Sequence, residues 1–161
     1  MKLSTKSLVR GAAIAALYAA LTLLLQAISF GQVQFRVAEA MTILPAVCVE
    51  AVPGLFIGCL LANLLYGGVV WFDVVFGSLA TLLAALLTRR FRARPWLAAL
   101  MPVVSNGLIV GPVVAIGYMG SHDPRVLLLT MATVAAGEAV VVYVLGLPLL
   151  HGVKKLPKGV L

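Results

Sequence analysis

Three carboxylates stand in apolar surroundings. They are Glu39, Asp73 and Glu138, from only five acidic residues in a chain of 161. A charge at the centre of a bilayer costs about 2.5–3.5 kcal/mol even on lenient insertion scales, so an acid at that depth is a functional-site hypothesis by default. Amides accompany the acids. Asn63 and Ser105-Asn106 fall inside apolar runs, and Gln32, Gln34 and Arg36 occupy one short polar stretch. Phe35, Trp71, Phe72 and Tyr118 add aromatic faces. Such a set suits a small planar polar molecule, including a cationic one. A carboxylate accepts two parallel N–H bonds from an amidine-like edge. Bonds to charged groups are worth about 1.5–3 kcal/mol each, and stacking a base on an aromatic ring about 1–3 kcal/mol.

The elements that must position these groups are membrane helices. The chain is 63% hydrophobic and 11% charged, with a mean hydropathy of +1.13. One span takes about 20 residues, so six use about 120 and leave no room for a soluble catalytic domain. Residues 1–161 are therefore read as one transmembrane substrate-binding domain. The basic start (Lys2, Lys6, Arg10) and the apolar run to Ile28 resemble a signal peptide. The length of that run and the spans that follow make it a retained first helix instead.

The spans are expected at about Leu8–Ile28, Ala38–Val49, Pro53–Tyr66, Asp73–Thr88, Pro95–Tyr118 and Val126–Leu150. Between the first two, polar Gln32, Gln34 and Arg36 alternate with apolar Val33, Phe35 and Val37, the period of an extended segment. Spans two and three are short, about 20 Å each, and a single kinked helix over Ala38–Tyr66 is the alternative. Charge decides between them. With six spans both termini are cytoplasmic, and ten of the twelve Lys and Arg residues face the cytoplasm; with five, only Lys2, Lys6, Arg10 and Arg125 do. The same placement of the +7 net charge beside apolar spans points to anionic lipid and away from nucleic acid. The expectation is an all-α integral bundle of six transmembrane helices, multi-pass in a plasma membrane of prokaryotic type.

Structural roles stand beside the binding role. Glu39 follows Arg36 by three residues and can pair with it at a helix start. Asp73 can cap span four. Glu138 has no basic neighbour on its own helix, so it is the hardest to explain away. Asn63 and Asn106 can serve as interhelical hydrogen-bond glue, and Trp71 as an interfacial anchor. Cys48 and Cys59 have no metal spacing and read as small buried hydrophobes. No phosphate-binding G-x-x-x-x-G-K-[ST] loop, H-E-x-x-H or G-x-S-x-G sequence occurs, so an enzyme is a poor expectation, and no cofactor is called for.

The first span carries a second signal. Ala12, Ala16 and Ala20 are spaced by four, as are Ala15 and Ala19. Small residues at that spacing admit another helix closely, either within this bundle or from a partner protein.

Several segments together resemble a known family. They are Gly31-Gln32-Val33-Gln34-Phe35-Arg36-Val37-Ala38-Glu39-Ala40, the Gly54–Leu64 stretch with Asn63, Asp73–Leu82, Gly137-Glu138, and Gly146-Leu147-Pro148. The chain resembles the QueT family, substrate-binding S components of energy-coupling factor (ECF) transporters, over nearly its whole length. Ala38 stands where that pattern has serine.

The resemblance implies the six-helix S-component fold. It implies binding of a queuosine precursor, a 7-deazaguanine base such as 7-aminomethyl-7-deazaguanine. It also implies partners: a transmembrane coupling subunit and two cytoplasmic ATPases. Ala12, Ala16 and Ala20 become the docking face. The ligand-binding set is then Gln34, Phe35, Arg36, Glu39, Asn63, Trp71, Asp73, Asn106 and Glu138. Glu138 or Glu39 would hold the guanine-like edge, and Asp73 or the other glutamate the ammonium. Gln34, Asn63 or Asn106 would read the carbonyl, Phe35 and Trp71 would cover the ring, and Ser29–Val37 would be the lid. Two rival readings are an S component for another vitamin and a stand-alone proton-coupled carrier using Glu138.

Overall fold

The computed structural model describes residues 4–30, 34–66 and 71–155. Gln32, Lys2, Lys158 and residues 67–70 of the loop after the third expected span lie outside them. Among the described residues every regular element is helical. Helix α1 is Thr5–Leu24, followed by a single turn, Gln26–Ser29. Helix α2, Val37–Ala46, is wound as a 3-10 helix, and α3 is Ala51–Leu65. A π turn, Asp73–Gly77, runs into α4, Ser78–Arg90. Helix α5 is Pro95–Tyr118, with a π turn at its end, and α6 is Pro124–Lys154, with a π turn at Val141–Gly146.

Boundaries follow local chemistry. Pro95 and Pro124 open α5 and α6 at the position where a missing N–H costs nothing. Asp123 caps α6 by accepting from the Arg125 N–H at 2.8 Å. Among the described residues three helices, α1, α5 and α6, are long and apolar enough to cross a membrane; α2 and α3 are shorter apolar helices.

The molecule is apolar outside and partly polar within. Leu24 is 81% exposed and Leu65 67%, while Glu39, Asp73 and Glu138 are all below 5%. That inversion fits a lipid environment, where exposed leucine is at no disadvantage. The interior is built from small residues such as Ala38, Ala51, Ala62, Ala84 and Ala98. Helix α2 is the central pin, with every residue from Ala38 to Pro45 buried. A helix buried around its whole circumference has to be wrapped by others.

Helices approach closely at glycines. A methyl group on Gly58 would lie 2.7 Å from the Ala15 carbonyl oxygen, and one on Gly54 at 2.7 Å from that of Gly11. Helix α3 thus sits directly on the Gly11–Ala15–Ala19 face of α1. Gly111 does the same for α5 against Met131 on α6, at 2.6 Å.

Two ends can be distinguished. At one, the Ser7 hydroxyl donates to Glu50 Oε1 at 2.9 Å, and Arg89 donates to the Pro45 carbonyl at 3.1 Å. Lys6, Arg10 and Arg89–Arg94 belong to this basic end. The opposite end carries Ser29, Phe30, Gln34, Arg36, Asn63, Asp73 and Tyr118, which contact one another across the chain.

Candidate functional site

Three helices and the non-helical segment at 34–36 bring side chains to a shared hollow. It is lined by Gln34, Arg36, Glu39, Asn106, Val110, Val134 and Glu138. Glu39 comes from the first turn of α2, Asn106 and Val110 from α5, and Val134 and Glu138 from α6. The wall is polar on the α2 side and apolar where Val110 and Val134 pack against Ala80 and Val114.

Glu39 is the hub. Its Oε1 accepts a short hydrogen bond from the Tyr18 hydroxyl of α1 and a longer one, 3.5 Å, from Thr81 of α4. Its Oε2 has no hydrogen-bond partner, and neither has Oε1 of Glu138. The Asn106 amide lies against both carboxylates without a well-directed bond to those two oxygens. Buried acceptors left open in this way are rare, because each costs about 1–3 kcal/mol, more when charged.

A second cluster borders the hollow. Arg36 pairs with Asp73 at 2.9 Å, donates through Nε to the Ser29 carbonyl at 3.2 Å, and lies 4.9 Å over the Phe30 ring. Gln34 donates to the same Asp73 oxygen at 3.3 Å, and Tyr118 at 3.2 Å. Gln34 has φ +48, a left-handed conformation unusual outside glycine and asparagine, and one that occurs at ligand clamps. Asn63 donates to the Asp73 backbone carbonyl at 3.0 Å, which ties α3 to the start of the π turn. Gly77 must lack a side chain, because a Cβ there would overlap the Asp73 carboxylate.

Two structural expectations are corrected. Arg36 pairs with Asp73, not with Glu39 three residues away, because the tight turn from left-handed Gln34 to Arg36, closed by the Arg36 N–H on the Gln34 carbonyl at 3.0 Å, precedes α2 and carries the side chain toward the start of α4. Asp73 does not cap span four: Trp71 and Phe72 before it are already helical, and its carboxylate turns inward to Arg36.

The nine candidate ligand residues divide. Gln34, Arg36, Glu39, Asn106 and Glu138 line the hollow. Asp73 and Asn63 stand behind it in the Arg36 cluster. Phe35 is half-buried and is not among the lining residues. Trp71 is 63% exposed and stacks on Phe72 at 4.1 Å, away from the hollow. On α1, Ala12, Ala16 and Ala20 are exposed while Ala15 and Ala19 are buried, so two sequence-equivalent registers acquire different surroundings.

Sequence reasoning missed three participants. Tyr18 is fully buried and holds Glu39; its signal was a hydroxyl-bearing ring inside an alanine-rich span. Thr81 joins it. Cys59 is buried as expected, but its sulfur also faces Arg36, Asn63 and Thr81 at 3.4–3.6 Å.

The free volume of the hollow is about 10 Å³. Pockets for drug-sized ligands measure about 300–1,000 Å³, so the hollow as it stands is closed to a molecule of that size. A larger hollow, about 520 Å³, is an apolar surface groove between α1 and α3 that includes Ala12, Ala16, Gly54 and Ile57.

Comparison with known proteins adds a family. The family model described as QueT transporter matches residues 8–155. The "Queuosine precursor transporter QueT" of Lactococcus lactis subsp. cremoris (strain MG1363) is 38% identical over 97 residues, a match spanning 56% of this chain and 56% of that relative. No solved structure matches.

Proposed function

Since this chain belongs to the QueT transporter family, we propose that it is a substrate-binding membrane subunit for a queuosine precursor. The ligand would be a 7-deazaguanine base such as 7-aminomethyl-7-deazaguanine. The relative's name supplies the substrate class. The observation that carries the reading is the pair of buried glutamates, Glu39 and Glu138, each with an unpartnered oxygen beside one hollow. A deazaguanine presents N1–H and an exocyclic amine to one carboxylate, its O6 to an amide such as Asn106 or Gln34, and its aminomethyl ammonium to a second acid. Ligand binding would then repair two costly buried acceptors.

The remaining architecture is proposed to follow the S-component plan. Residues 1–161 form one domain of six spans, with the basic end cytoplasmic and the hollow toward the exterior of the plasma membrane. Ligand enters as the 34–36 segment opens. The exposed Ala12, Ala16 and Ala20 face docks on a transmembrane coupling subunit, and two cytoplasmic ATPases drive release inward. This chain performs no chemistry of its own.

A titration of the purified protein in lipid nanodiscs tests the substrate. 7-Aminomethyl-7-deazaguanine should bind and raise the melting temperature, and guanine should bind at least about tenfold more weakly, as expected where one charged contact is lost. Absence of binding by any 7-deazaguanine would overturn the reading. The depth of Glu138 favours one rival, a proton-coupled carrier. That rival requires uptake into proteoliposomes by this chain alone under a pH gradient.

A further inference from the structure

Among the described residues Arg36 is the one cationic residue lining the hollow, yet its guanidinium makes its hydrogen bonds to neither glutamate. Nη2 binds Asp73 at 2.9 Å, Nε donates to the Ser29 carbonyl at 3.2 Å, and the Phe30 ring lies beneath at 4.9 Å. Phe30 is itself stacked on Tyr66 at 4.0 Å. Asp73 is fully buried, and Gln34 and Tyr118 hold the same oxygen that Arg36 uses. Among the described residues no ion pair reaches Glu39 or Glu138. A flexible guanidinium beside two carboxylates would normally neutralise them, because the attraction grows as water is excluded. Here a third carboxylate outcompetes them.

We infer that Asp73 is a positioning residue that sets charge specificity: by holding the Arg36 guanidinium it keeps the Glu39–Glu138 pair free of a directly bonded internal cation, so the site prefers a cationic 7-deazaguanine to a neutral one. The inference rests on the deazaguanine reading of the same hollow. Neutralising Asp73 alone frees Arg36 to turn inward and act as a tethered competitor for the ligand's ammonium. Neutralising both removes competitor and holder together, and leaves neither member of the Arg36–Asp73 pair buried without its partner.

The test titrates the full-length protein in nanodiscs with two probes. 7-Aminomethyl-7-deazaguanine is a cation at neutral pH, and 7-cyano-7-deazaguanine is uncharged. Wild type should favour the cation by at least about tenfold, the magnitude of one charge-assisted contact. Asp73→Asn should erase that ratio while changing affinity for the neutral probe by less than about threefold. The double variant Asp73→Asn with Arg36→Gln should restore the ratio to within about threefold of wild type. A merely structural Asp73 would weaken both probes together and leave the ratio unmoved, which overturns the inference. Failure of the double variant to restore the ratio also overturns it, and assigns the ammonium to Asp73 itself. Equal wild-type affinity for the two probes overturns it while the substrate reading stands, whereas binding of neither probe removes the substrate reading as well. If Asp73→Asn does not fold, the double variant decides alone, since it must keep the cation preference.

Discussion

Helix α1 works on two sides that obey opposite rules. Its buried side delivers Tyr18 to Glu39, next to oxygens that have no partner inside the protein. Its exposed side offers Ala12 and Ala16 to an apolar groove that contains almost nothing polar except Ser7 and Glu50 at one end. The hollow is expensive: charges out of water and acceptors unfilled. The groove costs little, because in lipid an exposed alanine loses nothing until another helix arrives. Each region is incomplete in a different currency, one lacking hydrogen-bond donors and the other lacking packing. On the proposed reading the difference separates ligand recognition from partner docking on a single helix, and mutations can be chosen to disturb one region at a time.

The largest effect is expected at Glu138. Glu138→Gln keeps the shape but removes the charge and one acceptor, so affinity for 7-aminomethyl-7-deazaguanine should fall about 100-fold or more, as two charge-assisted contacts at about 1.5–3 kcal/mol each would allow. The ligand-free melting temperature should hold or rise, because an unpartnered buried acceptor has been relieved. Calorimetric titration and thermal unfolding read the two quantities separately. Unchanged affinity would remove Glu138 from the site.

The groove answers to a different pair of substitutions. Ala16→Trp should fill the exposed face and abolish co-purification with a coupling subunit, leaving ligand affinity within about twofold. Ala15→Trp should instead unfold the bundle, because Ala15 is 5% exposed and its carbonyl lies under Gly58. Overpacking a tight contact costs about 1–3 kcal/mol or more. If the two variants behave alike, the assignment of faces on α1 is wrong.

How far the sequence went also differs between the two regions. Charges in apolar runs are visible without coordinates, so Glu39, Asn106 and Glu138 could be named as partners from separate spans, and the structure sets them around one hollow. Pro95 marked the start of α5, while α6 starts at Pro124 under its Asp123 cap, two residues before the expected Val126. What escaped was choice between equivalent options. Arg36 had an acid three residues on and another 37 on, and took the distant one because tertiary packing, not spacing, set the geometry. The two alanine registers on α1 have identical spacing, and only the glycines of α3 decide which is buried. The 3-10 winding of α2 and the three π turns leave no periodic signature in uniformly apolar sequence.

The smallest effect lies where groove meets basic end, at Glu50. Its carboxyl is held below the ordinary glutamate value of 4.5, first by its own backbone N–H, then by the Cys48 thiol and the Ser7 hydroxyl, with Arg10 nearby. A lowered folded-state pKa means the contribution is complete above about 4.5 and fades as pH drops through the folded value. Glu50 is only half-buried, so solvent screening should hold the effect under about 1 kcal/mol. Glu50→Gln should therefore lower the melting temperature slightly at pH 7, with the gap to wild type closing below pH 4.5. A gap that stays constant down to pH 3 would show that the carboxylate charge plays no part in tying α1 to α3. The contact would then act through shape alone, as the rest of the groove does. The two sides of α1 would then differ more sharply than Ser7 and Glu50 now make them.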